Sequence, residues 1–203
     1  LDGVLVDAMS LHEEAFLTAV RVEGKIDLCQ QEHQAVYAGL PTRQKVSLLL
    51  LQGRLNPRYA ETVIQAKQRL TEEYLVNRIH PERSRIALLR HFQNLYGLGC
   101  VTNCIKRTAR EMLERADLWA FFEKCLVTNE DAEAKPSPAG YQRACGLLEV
   151  QPKEALVFED HDVGMTAAFN AGCCATQVKT FEELTIERVW EAIREAEMKE
   201  KAS

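Results

Sequence analysis

The second half of the chain alternates short apolar runs with longer segments in which apolar residues recur at helical spacing. Each short run predicts a buried strand, and each intervening segment is long enough for a helix. The predicted strands are residues 98–102, 125–128, 155–158 and 174–178. Parallel strands joined by helices form one sheet with helices on both faces, so we predict an α/β fold with a doubly wound, Rossmann-like parallel sheet.

Residues 10–80 have a different pattern, because only helical periodicity is found there. Residues 10–24 predict one helix, Pro41 is expected at the first position of a second, and Asn56-Pro57 should begin a third that reaches about residue 75. We therefore expect a helical cap at 10–80, inserted into an α/β core made of 1–9 and 81–203. The opening segment LDGVLVDA should leave a first strand of that core at Asp2.

Two helices of the core are predicted from apolar spacing. Ser84 should begin a helix that buries Ile86, Leu89, Phe92 and Leu95, and residues 185–203 should form a terminal amphipathic helix.

Charge and composition exclude several classes of protein. The formal net charge of -5 disfavours binding to nucleic acid, and no apolar run approaches the roughly 18 residues that a membrane span requires. Seven cysteines without a CxxC pair or a secretory signal indicate reduced thiols and a cytoplasmic protein.

Polar side chains follow the predicted strands at the points where the strands end. The carboxyl ends of parallel strands meet at one edge of the sheet, where α/β proteins bind ligands. Carboxylates gathered there require a cation, and oxygen ligands suit Mg²⁺, while a lysine and a hydroxyl beside it suit phosphate. The candidate residues are Asp2, Thr102, Asn103, Lys135, Glu159 and Asp160.

Four segments in this order, LDGVLVDA, VTN, AKPSP and VFEDHDVG, resemble the motifs of the haloacid dehalogenase-like hydrolases that carry a helical cap after the first strand. In that family an Asp attacks phosphorus and a second Asp, two residues later, acts as acid and base. Asp2 matches the second Asp. The attacking Asp is expected directly before Leu1, which leads us to expect that the full-length protein has residues before Leu1.

The resemblance also implies roles for the other candidates. Thr102 would donate its hydroxyl and Asn103 its main-chain amide to the phosphoryl group, while Lys135 would neutralise it. Glu159 and Asp160, with the main-chain carbonyl of Asp2, would hold Mg²⁺.

Four further residues in the helical segment are candidates for substrate binding. His12 lies ten residues after Asp2, a spacing that the resemblance associates with a residue that steadies the acid/base Asp. Arg43, Lys45 and Lys67 carry positive charge that could bind the distal part of an anionic substrate.

The expected function is Mg²⁺-dependent hydrolysis of a small phosphate monoester, such as a phosphosugar, through an aspartyl-phosphate. Two alternatives stay open. A phosphomutase similar to β-phosphoglucomutase would use the same residues, and a protein without the attacking Asp would only bind phosphorylated ligands. Small phosphorylated metabolites are the expected partners in each case.

Overall fold

The computed structural model describes the backbone of residues 1–202 and the side chains of residues 1–198. The chain divides into two compact units. A smaller unit spans Ala8–Ile79, and a larger unit combines Leu1–Asp7 with the chain from His80 onward. Within the described residues, no helix has both the length and the apolar character that crossing a membrane requires.

The smaller unit is helical throughout. Its core forms where apolar residues on successive turns face inward, with Phe16, Tyr37, Leu49 and Val63 fully buried. The elements are α1 (Met9–Val22), α2 (Gln30–Glu32), a π-helix (His33–Tyr37), α3 (Thr42–Leu51), a 3₁₀ turn (Pro57–Tyr59) and α4 (Ala60–Arg78).

The larger unit alternates helices with short strands. Its helices are α5 (Arg83–Phe92), α6 (Lys106–Arg115), α7 (Trp119–Phe122), α8 (Ala139–Leu147), α9 (Asp162–Ala171) and α10 (Ile186–Ala202). Its strands are β1 (Cys100–Val101), β2 (Leu126–Val127), β3 (Leu156–Glu159) and β4 (Cys174–Gln177). Ser203, the last residue of the predicted terminal helix, lies outside the described residues.

The four strands form two parallel pairs. In the first pair Cys100 is opposite Leu126, and in the second Leu156 is opposite Cys174. Helix α8 packs on the first pair so closely that a side chain at Gly140 would lie 2.8 Å from Val101 Cγ1. Since parallel strands end on the same side, the segments after β1 and β2 start at one edge of the first pair, and Lys135 joins that edge to the end of β3 through Val101 and Glu159.

Residues 1–6 form a tight turn in which the Leu1 carbonyl accepts the main-chain N–H of Leu5 at 2.8 Å, and Asp2 pairs with Val6 in an isolated bridge. One local prediction was wrong. Leu95 is 57% exposed, because α5 ends at Phe92 and the periodicity stops with it.

Arg85 fixes the start of α5 to the segment that precedes α10. This guanidinium is buried, and it donates to the main-chain carbonyls of Leu184 at 2.6 Å and Phe181 at 2.5 Å. It also lies over the Phe181 ring at 4.2 Å. Burial lowers the pKa of Arg85 to about 10, which leaves it charged at neutral pH.

Replacing Arg85 by Met should lower the free energy of unfolding by about 2–4 kcal/mol, because two buried carbonyls lose charged donors while the apolar stem is kept. Urea denaturation followed by far-ultraviolet circular dichroism measures this. Arg83→Met, at an exposed position of the same helix, is the matched control. Equal stability of the two variants would contradict the role given to Arg85.

Candidate functional site

The polar residues that follow the strands of the larger unit are joined by hydrogen bonds. Thr102 directly follows β1, Lys135 lies between β2 and α8, and Glu159 is the last residue of β3. All three are buried. Asp2 and Asp160 are half-buried.

Asn103 connects the segment after β1 to the segment that carries Lys135. Its side-chain oxygen accepts the main-chain N–H of Lys135 at 2.8 Å, and its side-chain amide donates to the Lys135 carbonyl at 3.3 Å. Asn129 in turn donates to the Asn103 carbonyl at 2.7 Å. The amide side chain thus holds the two loops in register.

The Lys135 ammonium is held between two strands. It donates to the main-chain carbonyl of Val101 at 2.8 Å and to Oε1 of Glu159 at 2.5 Å. Burial of Glu159 opposes its ionisation, but the Lys135 charge and the hydrogen bonds from Lys135 and Tyr141 outweigh burial and lower the pKa of Glu159. The two residues therefore form a buried ion pair.

Tyr141 is a member of this cluster that sequence reasoning missed. Its hydroxyl donates to Oε1 of Glu159, and its ring lies under the Lys135 ammonium, 5.1 Å from Nζ to the ring centre. Burial first, and then the Glu159 charge, raises the pKa of Tyr141, so that the hydroxyl stays protonated. Its only sequence signal is its place in the first turn of the helix that follows KPSP.

Gly164 lies against the Glu159 carboxylate. A methyl group added at this position in α9 would come within 2.1 Å of Oε2 and 2.7 Å of Oε1 of Glu159. The carboxylate is therefore held by two donors at Oε1 and packs against the backbone of α9.

Asp2 is connected to the loop after β1 through Cys104. The Cys104 thiol donates to Oδ2 of Asp2 at 3.4 Å, and the Cys104 main-chain N–H donates to the Thr102 hydroxyl oxygen at 3.1 Å. The Thr102 hydroxyl proton thus remains able to donate to a ligand.

Asp160 is the third acidic residue of this site, beside Asp2 and Glu159. Burial raises the pKa of Asp160, and the neighbouring carboxylates of Glu159 and Asp2 add to the shift. The three acids are close enough to interact, although among the described residues their oxygens do not all lie within 4.8 Å of one another. Glu159 turns toward Lys135 and Tyr141 instead.

The candidates in the smaller unit differ in environment. Lys45 and Lys67 are buried, and each ammonium contacts an imidazole nitrogen at 3.0 Å, that of His33 for Lys45 and that of His12 for Lys67. Arg43 is exposed and lies 3.5 Å from the Glu61 carboxylate.

His33 lies between an ammonium and a carboxylate. Its Nδ1 is 3.2 Å from Glu13 and its Nε2 is 3.0 Å from Lys45, so the neutral ring donates through Nδ1 and accepts through Nε2. Burial, together with the Lys45 charge, outweighs Glu13 and lowers the pKa of His33 to about 4. Lys67 acts in the same direction as Lys45.

Comparison with known proteins gives matches over most of the chain. A family model described as haloacid dehalogenase-like hydrolase matches residues 1–178. A phosphorylated carbohydrates phosphatase of Thermotoga maritima is 27% identical over 185 residues, covering 85% of this chain and 79% of that protein. A fructose-1-phosphate phosphatase of Escherichia coli strain K12 is 24% identical over 183 residues, covering 88% of this chain and 93% of that protein.

A likeness among solved structures concerns the fold. The crystal structure of a β-phosphoglucomutase from Clostridium difficile superimposes with a TM-score of 0.78 at 18% identity, covering 96% of this chain and 95% of that one. This agreement confirms the predicted α/β class with its helical insertion.

Replacing Gly164 by Ala should lower the free energy of unfolding by about 1–3 kcal/mol, because Glu159 is held by two donors and cannot yield to the added methyl group. Gly146→Ala in α8 is the matched control, since nothing lies within 4 Å of a methyl group there. Urea denaturation compares the two variants. A Gly164 variant as stable as the Gly146 variant would show that Glu159 moves freely.

The free energy of unfolding should decrease as the pH is lowered, because His33 binds a proton more readily in the unfolded chain. Its pKa is about 4 in the folded protein and 6.5 in the unfolded chain, so between these values the unfolded state binds more protons. The contribution is complete above pH 6.5 and is lost as the pH falls to about 4, amounting to about 3 kcal/mol.

Denaturation of the parent protein and of His33→Gln across this pH range measures the contribution. Glutamine can donate to Glu13 and accept from Lys45 without titrating, so the variant should lose less stability on acidification. His80→Gln, at an exposed position, controls for the loss of a histidine. Parallel pH profiles for the parent and the His33 variant would contradict the linkage.

Proposed function

Because this chain belongs to the haloacid dehalogenase-like hydrolase family, we propose that it hydrolyses a small phosphate monoester of the phosphosugar class with the help of Mg²⁺. The observation that carries the proposal is the buried Lys135–Glu159 pair at the ends of β1 and β3, next to Thr102 and Asn103. Phosphoryl transfer depends mainly on positioning and on neutralising charge, and a held ammonium beside hydroxyl and amide donors suits that task.

The proposed roles follow the contacts of each residue. Lys135 places its ammonium against a phosphoryl oxygen, and the Thr102 hydroxyl and the Asn103 main-chain N–H donate to the same group. The double hydrogen bond between the Asn103 side chain and the Lys135 backbone keeps these donors together.

The acidic residues fit a magnesium ion by their donor chemistry. Glu159 and Asp160 offer carboxylate oxygens and Asp2 its main-chain carbonyl, and Mg²⁺ prefers hard oxygen donors with some waters retained. When bound, Mg²⁺ supplies positive charge that stabilises the developing negative charge of the phosphoryl oxygens.

Asp2 serves as the acid and base of the reaction. In the family the attacking carboxylate stands two residues before this Asp, which corresponds to the position directly before Leu1. Asp2 protonates the departing alcohol while the aspartyl-phosphate forms, and then accepts a proton from the water that hydrolyses it. Its hydrogen bond from Cys104 orients the carboxylate for both steps.

Substrate choice is assigned to the smaller unit. Lys45 and Lys67 offer ammonium groups hydrogen-bonded to imidazole nitrogens, and Arg43 offers an exposed guanidinium, all suited to the anionic or hydroxylated part of a substrate. His12 is proposed to bind substrate together with Lys67. The names of the two curated relatives, both phosphatases of phosphorylated sugars, support this substrate class.

A cytoplasmic location is part of the proposal. All seven cysteines are free thiols, as expected for a protein that works in a reducing compartment.

The direct test compares two proteins that differ only in the residue placed directly before Leu1. The Asp version carries Asp there, and the Asn version, with Asn, is the matched control. The Asp version should release phosphate from sugar phosphates, the Asn version should not, and EDTA should abolish release until excess Mg²⁺ is added. Asp2→Asn in the Asp version should lower kcat by about 10²–10⁴-fold, because proton transfer to the leaving group is lost.

Product analysis separates this proposal from its alternatives. Isomerised sugar phosphate with little free phosphate would show that the protein is a mutase and not a hydrolase. If the Asp version bound sugar phosphates tightly but neither hydrolysed nor isomerised them, the protein would be a binding protein. Phosphate release that persists in EDTA would overturn the magnesium requirement.

A further inference from the structure

We propose that Tyr141 is a positioning residue that holds the Lys135–Glu159 pair in the geometry needed to receive a phosphoryl group. Tyr141 touches both partners, with its hydroxyl on Glu159 and its ring face under the Lys135 ammonium. This inference rests on the role proposed above for Lys135, and it assigns to Tyr141 a part that the four sequence motifs do not include.

Oε1 of Glu159 accepts hydrogen bonds from Lys135 and from Tyr141, which are six residues apart on either side of the start of α8. One donor belongs to a loop and the other to the first turn of a helix. A methyl group at Gly164 would meet both oxygens of this carboxylate, at 2.1 and 2.7 Å, so Glu159 also packs against the backbone of α9. Rotation of the carboxylate would therefore break both hydrogen bonds.

A lysine ammonium has three N–H donors. Within the described residues, Lys135 directs one to the Val101 carbonyl and one to Glu159, which leaves the third for a phosphoryl oxygen. The direction of that third donor is fixed only while Glu159 stays in place, and Tyr141 holds it there.

The two ends of Tyr141 act on different partners. The ring stabilises a nearby cation through its negative face, whereas the hydroxyl stabilises the carboxylate by donating a proton. A phenylalanine at this position keeps the ring contact with Lys135 and removes only the hydrogen bond to Glu159. Tyr141→Phe therefore isolates the positioning of Glu159 from the packing of the ring.

The experiment compares Tyr141→Phe with the parent, both preceded by Asp. Tyr96→Phe is the control, because Tyr96 is 45% exposed, packs near Phe92 and Trp190, and belongs to the same unit. Three quantities are measured for each protein: kcat/KM for a sugar phosphate, the dissociation constant of inorganic phosphate by calorimetry in MgCl₂, and the Lys135 ammonium signal in Cε–Nζ correlation spectra. The Lys135→Arg variant assigns that signal.

Tyr141→Phe should lower kcat/KM and weaken phosphate binding by about 10- to 100-fold, the effect of one hydrogen bond to a charged group. It should also speed the hydrogen exchange of the Lys135 ammonium, while Tyr96→Phe should change none of these quantities. A merely structural tyrosine would lower thermal stability and leave phosphate affinity and ammonium exchange as in the parent. That result would overturn the inference.

The readouts separate failure of the inference from failure of the proposed function. If the parent released no phosphate but Tyr141→Phe still sped the exchange of the Lys135 ammonium, the positioning role would stand and the hydrolase proposal would fail. If the parent released phosphate and Tyr141→Phe matched it in kcat/KM and phosphate affinity, the hydrolase proposal would stand and the inference would fail.

Discussion

The ion pair between Lys135 and Glu159 is the interaction on which the arrangement of the larger unit's polar edge depends. Lys135 reaches the carbonyl of Val101 in β1 and the carboxylate of Glu159 in β3, so one ammonium links two strand pairs that share no main-chain ladder among the described residues. Asn103 holds the backbone of that same lysine. Loops that are distant in sequence are thus brought into register by a side chain in the middle of the edge.

Stability alone does not explain why a charged pair occupies this position. Removing two charges from water is expensive, and well-packed apolar residues often replace a buried ion pair without loss of stability. Here the cost is offset by the hydrogen bond from Tyr141 to Glu159 and by the hydrogen bonds between Asn103 and the Lys135 backbone. The absence of a side chain at Gly164 leaves space for the carboxylate. Several contacts that together fix one ammonium are typical of a group whose position matters for binding charge.

The sequence predicted the fold class and the family, and both predictions were confirmed. Prediction succeeded because strand–helix alternation and motifs at strand ends are local signals, and parallel topology then brings the ends together. It failed where a partner is distant in sequence. Nothing local marks Tyr141 as a donor to Glu159, and the π-helix at His33–Tyr37 buries both of its end residues, which local sequence does not indicate.

The lysines of the two units show how a hydrogen-bond partner decides what an ammonium can do. Lys135 is bonded to a carboxylate, which compensates much of its charge and fixes its direction. Lys45 and Lys67 are bonded to imidazoles, and the lowered pKa of His33 means that its ring brings no charge of its own. A neutral ring contributes a hydrogen bond and no charge, so His33 orients the Lys45 ammonium without adding a counter-charge of its own. The Lys45 contact and the Lys135 pair therefore differ in whether the hydrogen-bond partner carries charge.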